Sequence, residues 1–179
     1  MTFYLLGPSG AGKTTLGKLL AEKGVIKFLD SDDVLGDRYD QWEAVEKELE
    51  LWDSHTEALP LVVAVGAGTQ NLDGHTPGQP LKQWLADDRR EGVIAILCDP
   101  EETLKRRSGH HPSLQSVHGM EFAEARVELY ELASESIKTT GRNKPESADE
   151  LLTALGTIDS RWKPHFHRHL SASDQSIEQ

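Results

Sequence analysis

One octapeptide limits this chain more than any other feature: Gly7-Pro8-Ser9-Gly10-Ala11-Gly12-Lys13-Thr14, which fits G-x-x-x-x-G-K-[ST]. Average composition puts a chance match in a chain of this length at roughly 1 in 200. Its flanks supply the required context. Thr2 to Leu6 is a short apolar strand, and Thr14 to Lys23 carries Leu16, Leu19 and Leu20 at helical spacing before Gly24. Glycines let the backbone curl until successive N–H groups point inward at phosphate oxygens. The helix beginning near Lys13 adds its positive dipole end. Lys13 is expected to reach the β- and γ-phosphates and act in catalysis, and the Thr14 hydroxyl to bind Mg²⁺. The expected ligands are therefore ATP and Mg²⁺, with Gly10, Ala11, Gly12, Lys13, Thr14 and Thr15 around the phosphates. The chain carries no motif for guanine specificity.

The rest of the chain alternates in the same manner. Strands are expected at Val25 to Leu29, Leu61 to Val65, Val93 to Cys98 and Ser136 to Thr139. Helices are expected at Gln41 to Asp53, Leu81 to Arg90, Pro100 to Arg107, Met120 to Ser134 and Ser147 to Leu155. The last of these has a Ser147…Glu150 capping box in front and Gly156 behind. Five strands alternating with helices predict an α/β fold: a five-stranded parallel sheet with helices on both faces. Ligands in such sheets bind beyond the carboxyl ends of the strands, where Gly7 to Thr14, Asp30, Asp32, Gly66 to Gly68 and Asp99 fall. The domain is expected to span 1–158, with a lid at about 108–119 and a polar tail over 159–179 that is frayed from Arg161 to Gln179.

Charge narrows the partners. Nineteen Lys and Arg stand against 30 Asp and Glu, a net charge of −11, whereas nucleic-acid binders usually carry a basic face. A small-molecule partner is expected, and no nucleic acid. No apolar run approaches the length of a bilayer span, and Met1 to Leu6 lacks the basic region and cleavage site of a signal peptide. The single cysteine, Cys98, fits a reducing compartment. A cytoplasmic monomer is the expectation.

Asp30 and Asp32 stand two apart, so an extended backbone would put both on one face and turn Asp33 elsewhere. Asp30 can support Mg²⁺ through water. Asp32 can bind an acceptor hydroxyl and take its proton. The competing reading is a solvated turn in which an Asp caps the next element.

At this point the chain resembles the shikimate kinase family of P-loop kinases. Phe28-Leu29-Asp30-Ser31-Asp32 resembles that family's strand ending in D-[ST]-D, and Val63-Ala64-Val65-Gly66-Ala67-Gly68 its strand ending in three glycines. Ala95 to Leu104, followed by Arg106-Arg107, resembles the next strand and helix. His111-Pro112-Ser113-Leu114 sits where the lid carries R-P-L-L, and Arg126-Val127-Glu128-Leu129-Tyr130 resembles R-x-P-L-Y. Thr140 to Pro145 resembles the adenine-side loop. The resemblance, over residues 2–156, implies a small-molecule kinase using ATP and Mg²⁺. It gives Asp32 the acceptor hydroxyl, Asp30 the metal, Arg107 and Pro145 the adenine, and Arg126 the acceptor's carboxylate. Gly66 and Gly68 would let backbone amides approach the acceptor, with Ala67 between them on the substrate side.

The chain departs from that pattern around the acceptor. Glu43 stands where the family has an arginine, His111 replaces the lid arginine, and Ala67 takes the place of the middle glycine. Glu carries the wrong charge for a carboxylate. A different hydroxylated acceptor, sugar-, polyol- or amine-like, suits Glu43 better, unless Arg38 compensates. The rivals are an authentic shikimate kinase, a nucleotide-binding regulator without acceptor chemistry and, against the charge, a nucleic-acid end kinase. His165, His167 and His169 alternate as a strand-borne metal site would, but a solvated tail explains them more simply.

Overall fold

Short runs of Val, Ile, Leu and Phe with turn residues at their ends become the central strands, buried on both sides, while the two edge strands are partly exposed. The computed structural model describes residues 2–35, 59–66, 92–107 and 130–166, together with Lys47. Its strands are β1 (Thr2–Leu6), β2 (Lys27–Asp30), β3 (Leu61–Ala64), β4 (Val93–Leu97) and β5 (Glu135–Lys138). All pair in parallel, in the order β2-β3-β1-β4-β5. The helices are α1 (Lys13–Glu22), α2 (Ser31–Leu35), α3 (Pro100–Arg107) and α4 (Lys144–Ile158). The expected sheet is thus present, with each described strand within two residues of its sequence reading.

Side chains alternate across the sheet and sort into two apolar layers. Phe3, Leu5, Val62, Ile94 and Ile96 meet Leu16 and Leu20 of α1 and Leu151 and Leu155 of α4. Tyr4, Leu6, Val63, Val65 and Val93 pack on the other side with Leu35 of α2 and Tyr130. Each fully buried side chain of this size contributes about 1.5–3 kcal/mol. α1 lies close to the sheet because Gly17 has no side chain: a Cβ there would come within 2.0 Å of the Phe28 ring.

Three expectations need correction. β2 does not continue past Asp30; the chain turns at once into α2, so Asp30 and Asp32 are not on one extended strand. α4 starts at Lys144, not at Ser147. Asn143 is its cap, accepting the Glu146 N–H at 2.8 Å while the Glu146 carboxylate accepts the Asn143 N–H at 3.0 Å. Ser147 is buried one turn in, and Gly156 lies within the helix. Finally, the segment after residue 158 is folded at its start. Phe166 is 2% exposed in the α1–α4 layer with Trp162 packed against it, and His165 Nε2 lies 3.0 Å from the Val25 carbonyl. His165 therefore sits on a helical turn and not on a strand.

Of the expected helix at Gln41 to Asp53, only Lys47 is described, as helical. The expected helix at Leu81 to Arg90, the lid, His167 and His169 lie outside the described residues; of Met120 to Ser134, only Tyr130 onward is described. No helix among the described residues is long and apolar enough to cross a membrane.

Candidate active site

The phosphate loop follows directly from the close approach of two strands. A Cβ on Gly7 (φ 138°) would meet the Ile96 carbonyl oxygen of β4 at 2.0 Å, so only glycine fits at the end of β1. Gly10 and Gly12 also take positive φ, 83° and 110°. Gly12 is the N-cap of α1 and has no side chain to bond the helix's first N–H groups, which leaves the positive end of α1 open at the loop. Lys13 is 7% exposed, and its Nζ donates to the carbonyls of Gly7 (2.7 Å) and Pro8 (3.1 Å). The ammonium is held back over the loop whose phosphate-binding face it would serve.

Asp30, at the end of β2, receives two donors. The Thr14 hydroxyl donates to Oδ2 at 2.6 Å, and the Asp32 N–H donates to Oδ1 at 3.1 Å. Asp30 therefore both caps α2 and anchors the first turn of α1, as the capping reading of this stretch expects. A threonine hydroxyl and a carboxylate side by side next to a phosphate loop are the hard oxygen donors that Mg²⁺ prefers, since it keeps several waters and takes few protein ligands. The residues fit that ion. Among the described residues no cluster of three or more His, Cys, Asp or Glu forms a fuller cation cage.

Asp32 sits one residue into α2 and opens onto the cleft. Its carboxylate fills the space beside Gly66, where a Cβ would lie 1.7 Å from Oδ1. The Gly66 N–H donates to the fully buried Ser31 hydroxyl at 2.8 Å. An amide expected to face an acceptor is thus already engaged, and the glycine instead makes room for Asp32. Protein packed around the Asp32 carboxyl and the neighbouring Asp30 carboxylate hold its pKa above the ordinary aspartate value, Lys13 offsetting them only in part.

At the other end of the cleft, the loop after β5 turns into α4. Thr139, Arg142, Asn143, Lys144 and Ser147 line it there, while Pro145 is exposed in the first turn of α4 and is not part of that wall. Gly141 (φ 70°) makes the turn, and its N–H donates to Glu102 Oε2 of α3 at 2.9 Å. That bond, then the paired Arg106, holds the Glu102 carboxyl below the usual glutamate range. The cleft encloses about 910 Å³ and joins Gly10 to Thr15, Asp30, Asp32 and Gly66 with this loop.

The structure therefore gathers Gly10, Ala11, Gly12, Lys13, Thr14, Thr15, Asp30, Asp32 and Gly66 around one cavity. Arg107 ends α3, and nothing is described of its side chain. Glu43, Ala67, Gly68, Arg126, Arg38 and His111 lie outside the described residues. Sequence reasoning did not find Ser31, Glu102, Arg106 or Thr139. Only the serine had a signal, as the middle of the Asp-Ser-Asp triplet; the others are joined to the site by contacts far apart in the chain.

Comparison with known proteins bears on the family and the fold. The sequence model of the family described as shikimate kinase matches residues 9–156. Shikimate kinase 2 of Salmonella schwarzengrund is 28% identical over 166 residues, covering 85% of this chain and 90% of that protein. Among solved structures, shikimate kinase from Acinetobacter baumannii in complex with shikimate is similar at a TM-score of 0.57 and 22% identity, covering 88% of this chain and 94% of that one. A gluconokinase from Sinorhizobium meliloti is similar at 0.51 and 17%, covering 89% and 94%.

Proposed function

The chain belongs to the shikimate kinase family, and on that footing we propose that it transfers the γ-phosphoryl group of MgATP to a hydroxyl of a small metabolite, with an acceptor pocket that departs from the family pattern. The observation that carries the reading is the opening of Lys13, Thr14, Asp30 and Asp32 onto one cleft of about 910 Å³. In this reading Gly10 to Thr15 wrap the triphosphate with backbone N–H groups, and Lys13 leaves the Gly7 and Pro8 carbonyls for the phosphates. Thr14 and Asp30 would hold Mg²⁺, directly or through water. When bound, the ion supplies positive charge against the phosphate oxygens. Asp32 orients the acceptor hydroxyl and takes its proton, a role that suits a carboxyl held above its ordinary pKa. Arg107 remains a proposed flank of the base, and Gly66, Ala67, Gly68, Glu43 and Arg126 the acceptor side. The working unit we propose is a cytoplasmic monomer with its kinase domain over 1–158.

The proposed departure rests on Glu43 and His111, which stand where the family carries arginines. A sugar-, polyol- or amine-like acceptor matches that charge better than a carboxylate. The fold alone leaves the choice open, since a gluconokinase shares it. Shikimate itself is the second reading, favoured by the relative named shikimate kinase 2. ADP release from MgATP, measured with shikimate and then with polyols, sugars and amino alcohols, separates the two; Lys13→Ala serves as control. Strong stimulation by shikimate would refute the divergent pocket. Nucleotide binding without stimulation by any hydroxyl compound would refute the kinase reading in favour of a regulator.

A further inference from the structure

Arg106 projects from the last turn of α3, yet all its described partners outside that helix belong to the two ends of the cleft. Nη2 donates to the Thr139 carbonyl at 2.9 Å, and Nη1 donates to Thr139 Oγ1 at 3.2 Å and to the Ala11 carbonyl at 3.4 Å. Thr139 closes the triangle, its hydroxyl donating to the Ala11 carbonyl at 2.8 Å, the nearer of two carbonyls it reaches. The guanidinium also pairs with Glu102, whose second oxygen takes the Gly141 N–H at 2.9 Å. Ala11 is inside the phosphate loop; Thr139 and Gly141 carry the loop that presents Arg142 and Asn143 to the cleft. Ala11 is fully buried and Thr139 is 2% exposed, so the bond between them is shielded from water and stronger than it would be there, while the Arg106 and Glu102 side chains lie partly open at its edge.

A nucleotide spans the same two ends, with phosphates at one and base at the other. We infer that Arg106, with Thr139, is a positioning residue that holds the base-side loop at a fixed distance from the phosphate loop, so that the two halves of a nucleotide bind cooperatively. This rests on the reading of the cleft as a nucleotide site. The linkage needs the planar fork of arginine: a lysine ammonium keeps the charge but cannot serve the Thr139 carbonyl, the Thr139 hydroxyl, the Ala11 carbonyl and Glu102 in that arrangement. Loss of the link should show as lost coupling between sub-sites, and couplings of this kind lie at roughly 5- to 150-fold.

The test is calorimetric titration of the full chain with MgATP, with magnesium tripolyphosphate and with adenosine, in the native protein, Arg106→Lys and Thr139→Val. Both variants preserve net charge, so attraction of the phosphates is unchanged. MgATP affinity should fall about tenfold in Arg106→Lys, with tripolyphosphate and adenosine each kept within about twofold; Thr139→Val should shift in the same direction. Unchanged MgATP affinity in Arg106→Lys overturns the inference, as does a parallel loss for tripolyphosphate, which would mean that Arg106 merely shapes the phosphate loop. If one variant does not fold, the other decides. A native protein that binds neither MgATP nor tripolyphosphate defeats the nucleotide reading and this inference with it; native binding with unaffected variants defeats the inference alone.

Discussion

Gly66→Ala tests the geometry of the proposed phosphoryl transfer at one atom. The added Cβ would lie 1.7 Å from Asp32 Oδ1 and 2.5 Å from Cγ, whereas ordinary contact begins at 3.4 Å. Gly66 cannot easily retreat, because its N–H is bonded to the buried Ser31 hydroxyl at 2.8 Å. The Asp32 carboxylate is the softer partner and must swing away. A displacement of about 1 Å in a catalytic group costs on the order of 100-fold, and removal of a general base about 10²–10⁴-fold. The turnover number, measured by coupled ADP release with the best acceptor from the panel, should therefore fall about 100-fold, towards that of Asp32→Asn. The MgATP dissociation constant should stay within about twofold, since the phosphate loop is untouched. If Gly66→Ala keeps turnover within threefold of native while Asp32→Asn abolishes it, the tight placement of Asp32 against Gly66 is not what catalysis requires, and the reasoning fails.

The same contacts set further expected outcomes. Ser31→Ala leaves the Gly66 N–H without its acceptor in a buried place, so chemical denaturation should register a loss of about 1–3 kcal/mol. Phe166→Ala should cost about 3–5 kcal/mol, given its burial in the α1–α4 layer; a chain ending at Ser160 should melt at lower temperature than one ending at Phe166. Asp159 is held below its ordinary pKa by hydrogen bonds from Arg161, whose Nη2 lies 2.6 Å from Oδ2. A lowered carboxyl pKa stabilises the fold above the unfolded-state value of 3.8 and loses that contribution as pH falls through the folded value. Asp159→Asn should thus be less stable than the native chain at pH 7, and the gap measured by urea denaturation should narrow as pH falls below 3.8 and through the lowered folded-state value.

Much of this molecule is readable from local pattern because its chemistry is local. Phosphate binding needs glycines, a lysine and a threonine in unbroken sequence, and a doubly covered parallel sheet needs continuous apolar runs; both leave their mark in consecutive residues. The features that were not readable are decided at a distance or between equal local options. Asn143…Glu146 and Ser147…Glu150 are both capping boxes on paper, and only the packing of Ser147 into the interior picks the first. A turn at Ser31 takes the place of an extended Asp30-Ser31-Asp32 because the Asp30 carboxylate takes the Asp32 N–H and starts a helix. Arg106 and Arg107 are indistinguishable in sequence; the partners that mark out Arg106 lie at Ala11 and Thr139. Phe166 is one aromatic residue in a polar stretch, and its burial is decided by the α1–α4 layer it joins, far back in the chain.

The strand order gives the site a timetable. β1, which carries the phosphate loop, lies at the centre of the sheet, and its neighbours β3 and β4 come from residues 61–64 and 93–97. The hydroxyl that braces Ala11 belongs to Thr139, 128 residues later. On a ribosome making about 5–20 residues per second, the loop therefore waits roughly 6–25 seconds for that brace. For the first part of that interval the most anion-hungry part of the chain has neither its sheet neighbours nor its fixed curl. A nascent chain stalled before Thr139 would be expected to hold nucleotide poorly, and the finished one to gain its ligand and its last sheet strand nearly together.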